Sequence, residues 1–377
     1  MRRASGLFEE ICSFSNLLLA ARRAQSAKRY RPNVLAFNRC LEDNLHQLRR
    51  ELLDGSYRPG PHRHFQVYEP KTRWISAAPY RDRVVHHALC NVIEPVLDRR
   101  FIFDCWANRK GKGSHRAVLR YQLFAGRFRY ALKMDVRKYF PSIDHALLKQ
   151  QLRTLFKEQR LLRLLDGIID LGENPEPAPA YFPGDDLFTP FERTRGLPIG
   201  NLTSQLFANL YLDGFDHWVK ERLGAEGYLR FVDDSVLLDN SKERLRARLA
   251  VVRERLGRLR LRLHPTKCVI RRTDEGMPLL GYVVWPDRIR VRGETVRRFR
   301  RRMRVHAEVP PGDRRHRLAA WAGHVCFAGS FRRSLLERAE PTRETRETRV
   351  GAIHRPGDAP ETPDAVTDAA SARSASR

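Results

Sequence analysis

Two aspartates, Asp233 and Asp234, stand side by side in the otherwise apolar stretch "FVDDSVLL" at 231–238. Residues 229–232 and 235–238 on either side are rich in β-formers and predict two short strands, with the acidic pair as the central residues of a tight hairpin turn. Asn-Gly or Asp-Gly is preferred there, because both central positions often need φ > 0. Two neighbouring carboxylates at the edge of a half-buried sheet repel one another unless a cation neutralises them, which points to a divalent metal. For this octapeptide alone, a solvated acidic turn is the other reading. A third carboxylate, Asp135, ends an apolar strand around residues 130–135 and precedes a turn carrying Tyr139 and Phe140. Adjacent strands of one sheet could bring the three together. Two divalent ions about 4 Å apart on such carboxylates are the standard device for in-line nucleotidyl transfer.

The elements that must position these residues follow from periodicity. Residues 7–53 carry a helical pattern, with Leu41, Leu45, Leu48 and Leu52 on one face and Asp54-Gly55 closing it. Residues 57–80 suit strands and loops, 83–97 a second helix, and "NRKGKGSHRAV" at 108–118 a basic glycine-rich turn leading into another. The proline-rich stretch between 171 and 195 has no regular period. A loop follows, then a helix capped near Asn201 or Thr203. Beyond the acidic hairpin, Leu245, Leu249, Val252, Leu256, Leu259 and Leu263 mark the core-facing stripe of one long helix. A hairpin-like "MPLLGYVVWPD" and the basic "RRFRRRMR" at 297–304 come next. From about Glu340 almost no large apolar residue remains, which predicts disorder.

The chain has 377 residues, 42% of them hydrophobic, enough for a sizeable core. Its net charge of +27, much of it arginine, predicts a polyanionic partner, nucleic acid first. A GC-rich coding bias also enriches arginine, so charge alone does not decide the matter. No stretch approaches the about 20 apolar residues of a membrane span, and the basic start lacks the apolar run of a signal peptide, so a cytoplasmic location is expected. Six scattered cysteines show no C-x-x-C spacing and are expected to be small buried hydrophobes. His86 and His87 are adjacent, share no helix face, and suit packing or a single hydrogen bond better than a metal.

The ordered blocks "ALKMDVRKYFPSID", "GLPIGNLTSQLFANLYL", "YLRFVDDSVLL", "LHPTKCVI" and "LLGYVVW" resemble the successive palm motifs of reverse transcriptases. "PKTRWISAAPYRDRVVHHAL" and "NRKGKGSHRAV" resemble the fingers motifs that precede them, and the likeness covers roughly residues 7–335. It implies an α+β chain with a right-hand polymerase fold of fingers, antiparallel-sheet palm and helical thumb. The segments would be an N-terminal helical fingers extension (1–56), fingers and palm (57–290), a basic helical thumb (291–339) and a disordered tail (340–377). Within the family, "DRVVHHAL", "GKGSH" and above all "IGNLTSQ" resemble the enzymes of diversity-generating retroelements, which copy template adenines with low fidelity. Most relatives carry glutamine in place of Ile199, proline in place of Gln205 and tyrosine in place of Phe231.

The resemblance implies a role for each matching residue. Asp135, Asp233 and Asp234, with the backbone carbonyl of Val136, would hold two Mg2+ ions. Phe140 would be the aromatic gate that excludes a 2′-hydroxyl. Gly196 and Gly200 would let the backbone approach template base and incoming nucleotide, with Ile199 and Gln205 bracketing Gly200. Lys71, Arg73, Arg83 and Lys112 are candidates for the triphosphate. Lys267 matches the lysine proposed as general acid toward pyrophosphate. Arg297, Arg298, Arg301 and Arg302 suit the backbone of a template–primer duplex. Template RNA, cDNA, deoxynucleoside triphosphates and a small basic accessory protein are the implied partners. The alternatives are a solitary or antiphage-defence reverse transcriptase and a catalytically silent nucleic-acid-binding protein. A group II intron maturase is disfavoured, because nothing after the basic lobe resembles an endonuclease.

Overall fold

The computed structural model describes residues 6–68, 72–172, 180–305 and 311–329. The chain divides into two units, 1–330 and 331–377. The second unit, with the tail expected at 340–377, lies outside the described residues, as does Lys71.

The N-terminal helical pattern breaks into α1 (Leu7–Cys12), α2 (Phe14–Ala24), α3 (Pro32–Arg39) and α4 (Leu41–Asp54). The breaks have local causes. Ser13 caps α2 by accepting from the Asn16 amide, Pro32 opens α3, and Gly55 ends α4 at φ 79°. Leu45, Leu48 and Leu52 are buried as the spacing predicts, with Leu41 partly so. These helices have no core of their own. Ile11, Leu17 and Leu45 belong to the same buried cluster as Leu132, Phe207 and Leu237. Glu158 fastens α1 to this core by accepting from the Leu7 and Phe8 amides at 2.8 and 2.9 Å.

A hairpin of β1 (Arg63–Val67) and β2 (Arg73–Ala77) follows, then α5 (Tyr80–Asp98) and α6 (Ser114–Ala125). Strand β3 (Tyr130–Asp135) leads into α7 (Tyr139–Ser142), α8 (His145–Leu155), α9 (Gln159–Asp170), α10 (Thr189–Glu192), α11 (Leu202–Tyr211) and α12 (Asp213–His217). Then come β4 (Gly227–Phe231), β5 (Asp234–Asp239), α13 (Lys242–Arg258) and β6 (Val269–Arg272). The central sheet is antiparallel in the order β4-β5-β3-β6. A second sheet, β7 (Met277–Leu279), β8 (Tyr282–Val284) and β9 (Ile289–Val291), precedes α14 (Gly293–Val305) and α15 (Pro311–Cys326). The predicted hairpin there gains a third strand.

Three expectations need correction. The stripe from Leu245 to Leu263 is not one helix, because α13 ends at Arg258 and Arg260 takes φ 55°. Leu263 lies beyond it, in an antiparallel bridge with Val136. The turn of the acidic hairpin is Val232-Asp233, since Phe231 pairs with Asp234 and β5 already begins at Asp234. Among the cysteines, Cys12, Cys90 and Cys105 are buried, but Cys40 and Cys326 are exposed and Cys268 is half-buried. Among the described residues no helix is long and apolar enough to cross a membrane.

Candidate active site

Register brings the carboxylates together. In the β3–β5 pairing Asp135 lies directly opposite Asp234, and Asp233 sits in the adjoining turn, its carbonyl accepting from the Val136 amide at 3.4 Å. The turn is strained, because Val232 holds φ 57°, an outlier for a β-branched residue. All three carboxylates are half-buried. Burial, then the charge of Asp234, pushes the Asp233 carboxyl up to about 6, with Asp135 adding to the rise and Arg73 opposing it. Burial also raises Asp234, against the charge of Lys133 and with that of Asp135.

Two lysines meet this charge. Lys267 Nζ forks onto both oxygens of Asp135 at 3.1 and 3.2 Å, and Lys133 Nζ lies 3.3 Å from Asp234 Oδ1. The Lys133 ammonium is thus the charge partner of Asp234 and opposes the upward push of burial. Among the described residues no three His, Cys, Asp or Glu side chains form a ready-made ligand set. The donor chemistry nevertheless suits a hard divalent cation. Register sets Asp135 opposite Asp234 with Asp233 adjoining, burial and mutual repulsion push Asp233 and Asp234 toward protonation, and a divalent cation relieves that repulsion.

The other predicted residues fall around this centre unevenly. Phe140 packs partly buried against the main core, and its carbonyl accepts from Leu197 N at 2.9 Å, which ties it to the loop carrying Gly196 and Gly200. Those glycines take φ 109° and 119°, and a Cβ on Gly200 would sit 2.9 Å from Ile75 Cγ2. The Ile199 carbonyl accepts from Ser76 N, docking the loop on β2. Asn201 stands at the cap position of α11, but its Oδ1 accepts from Ala78 N instead of capping the helix. Gln205 lines a cleft of about 330 Å³ with Cys90, Glu94, Asn108, Arg109, Lys110, Leu202 and Leu206.

Arg73 is exposed at the start of β2, close enough for its charge to act on Asp233. Arg83 lies over the Tyr80 ring at 5.4 Å, its Nε buried without a hydrogen-bond partner. Lys112 is held by the protein itself, donating to the Phe103 carbonyl at 2.8 Å and lying 3.6 and 4.3 Å from the Phe103 and Trp106 ring centres. Arg297 through Arg302 lie on α14, with Arg297, Arg301 and Arg302 exposed and Arg298 paired to Glu294 at 3.1 Å.

Sequence reasoning missed Lys133, Asp216 and Arg230. The signal was present in "ALKMD" and "YLRF", where a single cation interrupts an apolar strand that both sheet faces should keep uncharged. Lys133 lies two residues before Asp135 and so shares its face.

Residues 63–284 match the family profile described as reverse transcriptase (RNA-dependent DNA polymerase). Protein YkfC of Escherichia coli is 27% identical over 285 residues, covering 62% of this chain and 69% of that protein. The group II intron-encoded protein LtrA of Lactococcus lactis is 23% identical over 216 residues, covering 55% and 34%. The putative COX1/OXI3 intron 1 protein of Saccharomyces cerevisiae is 22% identical over 179 residues, covering 47% and 20%. The chain thus spans about a third and about a fifth of the two intron proteins. Among solved structures, apo telomerase from Candida tropicalis, truncated from its C-terminal domain, aligns with a TM-score of 0.44 and 12% identity, over 64% of this chain and 59% of that one. The family profile spans more than half of the chain, and the three carboxylates all fall within it: the chain belongs to the reverse transcriptase family.

Proposed function

We propose that this chain is a cytoplasmic RNA-directed DNA polymerase that serves a diversity-generating retroelement, copying a template RNA into cDNA with frequent errors opposite adenine. The observation that carries the chemistry is the register of Asp135 against Asp234 with Asp233 in the adjoining turn. In this reading Asp135, Asp233, Asp234 and the Val136 carbonyl hold two Mg2+ ions. When bound, these supply the charge that activates the primer 3′-hydroxyl and stabilises the departing pyrophosphate. Lys267 Nζ, now on Asp135, stands beside the carboxylates and donates toward pyrophosphate. Phe140 gates the sugar, and Arg73 with Arg83 and Lys71 receives the triphosphate. The segments act as an N-terminal fingers extension to residue 56, fingers and palm to 290 and a thumb to 339, with a small basic accessory protein as partner.

The test of the chemistry is Asp233→Asn, which should abolish primer extension while circular dichroism and RNA binding stay near wild type. Normal extension would sink the two-metal assignment. The retroelement reading rests on Ile199, which cannot offer the amide hydrogen bonds of a glutamine. A contact worth about 1 kcal/mol is a several-fold change in error rate. Sequencing of cDNA made from one defined RNA, with any accessory protein supplied, should show errors concentrated at template adenine and reduced in Ile199→Gln. Two of the relatives are intron proteins, which favours a second reading as an intron-type copying enzyme. Equal error rates at all four template bases would remove the retroelement reading and leave a general reverse transcriptase.

A further inference from the structure

Directly behind the acidic turn lies a buried ion pair. Arg230, the penultimate residue of the sheet's edge strand β4, and Asp216 on α12 both have side chains 1% exposed. Arg230 Nε donates to both Asp216 oxygens at 2.8 Å and Nη2 to Oδ2 at 2.6 Å. Nη2 also reaches the Asn209 carbonyl at 3.2 Å, and Nη1 the Asn209 Oδ1 at 3.4 Å. The remaining Nη1 donor goes to the Val232 carbonyl at 3.1 Å. All five guanidinium N–H groups therefore have an acceptor.

The frame around the pair is fixed as well. The Tyr228 hydroxyl donates to Asp216 Oδ1 at 2.7 Å, and Asn209 Nδ2 donates to the Ala107 carbonyl at 2.8 Å. The Arg230 backbone is clamped on both sides, its amide donating to the Asp104 carbonyl and its carbonyl accepting from Trp106 N, each at 2.9 Å. Desolvating such a pair costs about as much as the pair returns, so stability alone does not account for it. Among the described residues, its hydrogen bond to the acidic turn goes to the carbonyl of Val232, the residue whose left-handed conformation is costly for a β-branched side chain.

We propose that Arg230 is the positioning residue of the acidic turn. Oriented by Asp216 and Asn209, it holds the Val232 carbonyl and so keeps Val232 left-handed, Asp233 at the turn and Asp234 in register with Asp135. This rests on the reading of those three aspartates as the metal-binding group. Lysine cannot replace the arginine here, because one ammonium cannot serve acceptors on Asp216, Asn209 and Val232 in a fixed plane. Glycine at 232, in contrast, reaches positive φ without help.

The test is a double-mutant cycle in the full-length chain: wild type, Arg230→Lys, Val232→Gly and the double variant. The readouts are single-turnover primer extension, Mn2+ binding by electron paramagnetic resonance without nucleic acid, and the thermal midpoint. A displacement of about 1 Å at a reacting group costs on the order of a hundredfold, so Arg230→Lys should slow extension at least about tenfold and weaken Mn2+ binding several-fold. In the Val232→Gly background both losses should shrink to less than about threefold, while the fall in thermal midpoint is the same in both. Equal activity losses in the two backgrounds, or none in either, would overturn the proposal. If Arg230→Lys does not fold, Asp216→Asn in the same two backgrounds is judged by the same criterion. Wild-type extension by Asp233→Asn would overturn the metal reading, and the brace with it. An inactive Asp233→Asn with equal losses around the cycle would overturn the brace alone.

Discussion

His86 shows what a single side chain contributes beyond the chemistry. It lies on α5, 2% exposed, with neither ring nitrogen hydrogen-bonded, and burial, reinforced by the charges of His62, His87 and Arg83, lowers it to about 3. The unfolded imidazole takes a proton near pH 6.5, whereas the folded one refuses it until about pH 3. Stability from this group is therefore whole above pH 6.5 and falls as pH drops through the window down to about 3. At pH 5 the loss is about 2 kcal/mol. Urea unfolding at pH 7.5 and pH 5 should show wild type losing about 2 kcal/mol more than His86→Leu. Equal losses would place the acid sensitivity elsewhere. Adjacency on a helix implies that the two histidines part company. It could not tell which of them faces the core, since α5 is apolar around most of its circumference.

Elements were most legible where period and chemistry agreed. Strand β3 runs from Tyr130 to Asp135 as its apolar run predicts, and Asp54-Gly55 ends α4. The acidic hairpin was legible as a hairpin but not in its phase, because a turn scale penalises valine at φ > 0 and so shifts the expected turn to Asp-Asp. Only the Arg230 brace makes the Val232-Asp233 turn intelligible, and its partners come from α11 and α12. The docking of α15 was hidden for the same reason. The Tyr282 hydroxyl donates to the His324 carbonyl at 2.8 Å and contacts His115 Nε2 at 2.9 Å and His324 Nδ1 at 2.7 Å. His115 lies in the first turn of α6, at the end of "GKGSH" and 167 residues away from Tyr282. Its ring also stacks on Phe327 at 4.1 Å. Burial, then the charge of His115, lowers His324, whose Nε2 is buried without a partner. Protonation is therefore resisted in the docked state, and docking weakens as pH falls below about 6.5. Tyr282→Phe removes the shared hydroxyl at about 1 kcal/mol per hydrogen bond lost. Amide exchange across 318–329 should accelerate about tenfold or more in the variant while α8 is unchanged. Unchanged exchange would mean that ring stacking alone seats α15.

At the scale of the whole molecule the dominant fact is charge, and the site and the surface carry opposite signs. The three aspartates are local exceptions in a chain of net charge +27. In the proposed function, the field that gathers a polyanion is therefore separate from the carboxylates assigned to the chemistry. A template–primer duplex is held through its phosphates, and each neutralised phosphate releases counterions. Binding by six to ten contacts should give log K against log salt a slope of roughly −4 to −9, depending on strandedness. On α14, Arg297 and Arg301 stand one helical turn apart on one exposed face. If that face meets the duplex backbone, Arg297→Gln with Arg301→Gln should make the slope shallower by about 1 to 2 and weaken binding by a similar factor on any sequence. The extension rate at saturating duplex should stay within about twofold, because uniform binding is lost while the reacting groups are untouched. Fluorescence anisotropy of a labelled RNA–DNA duplex between 50 and 300 mM potassium chloride measures the slope. An unchanged slope would move the duplex off α14 and leave its arginines as a solvated face.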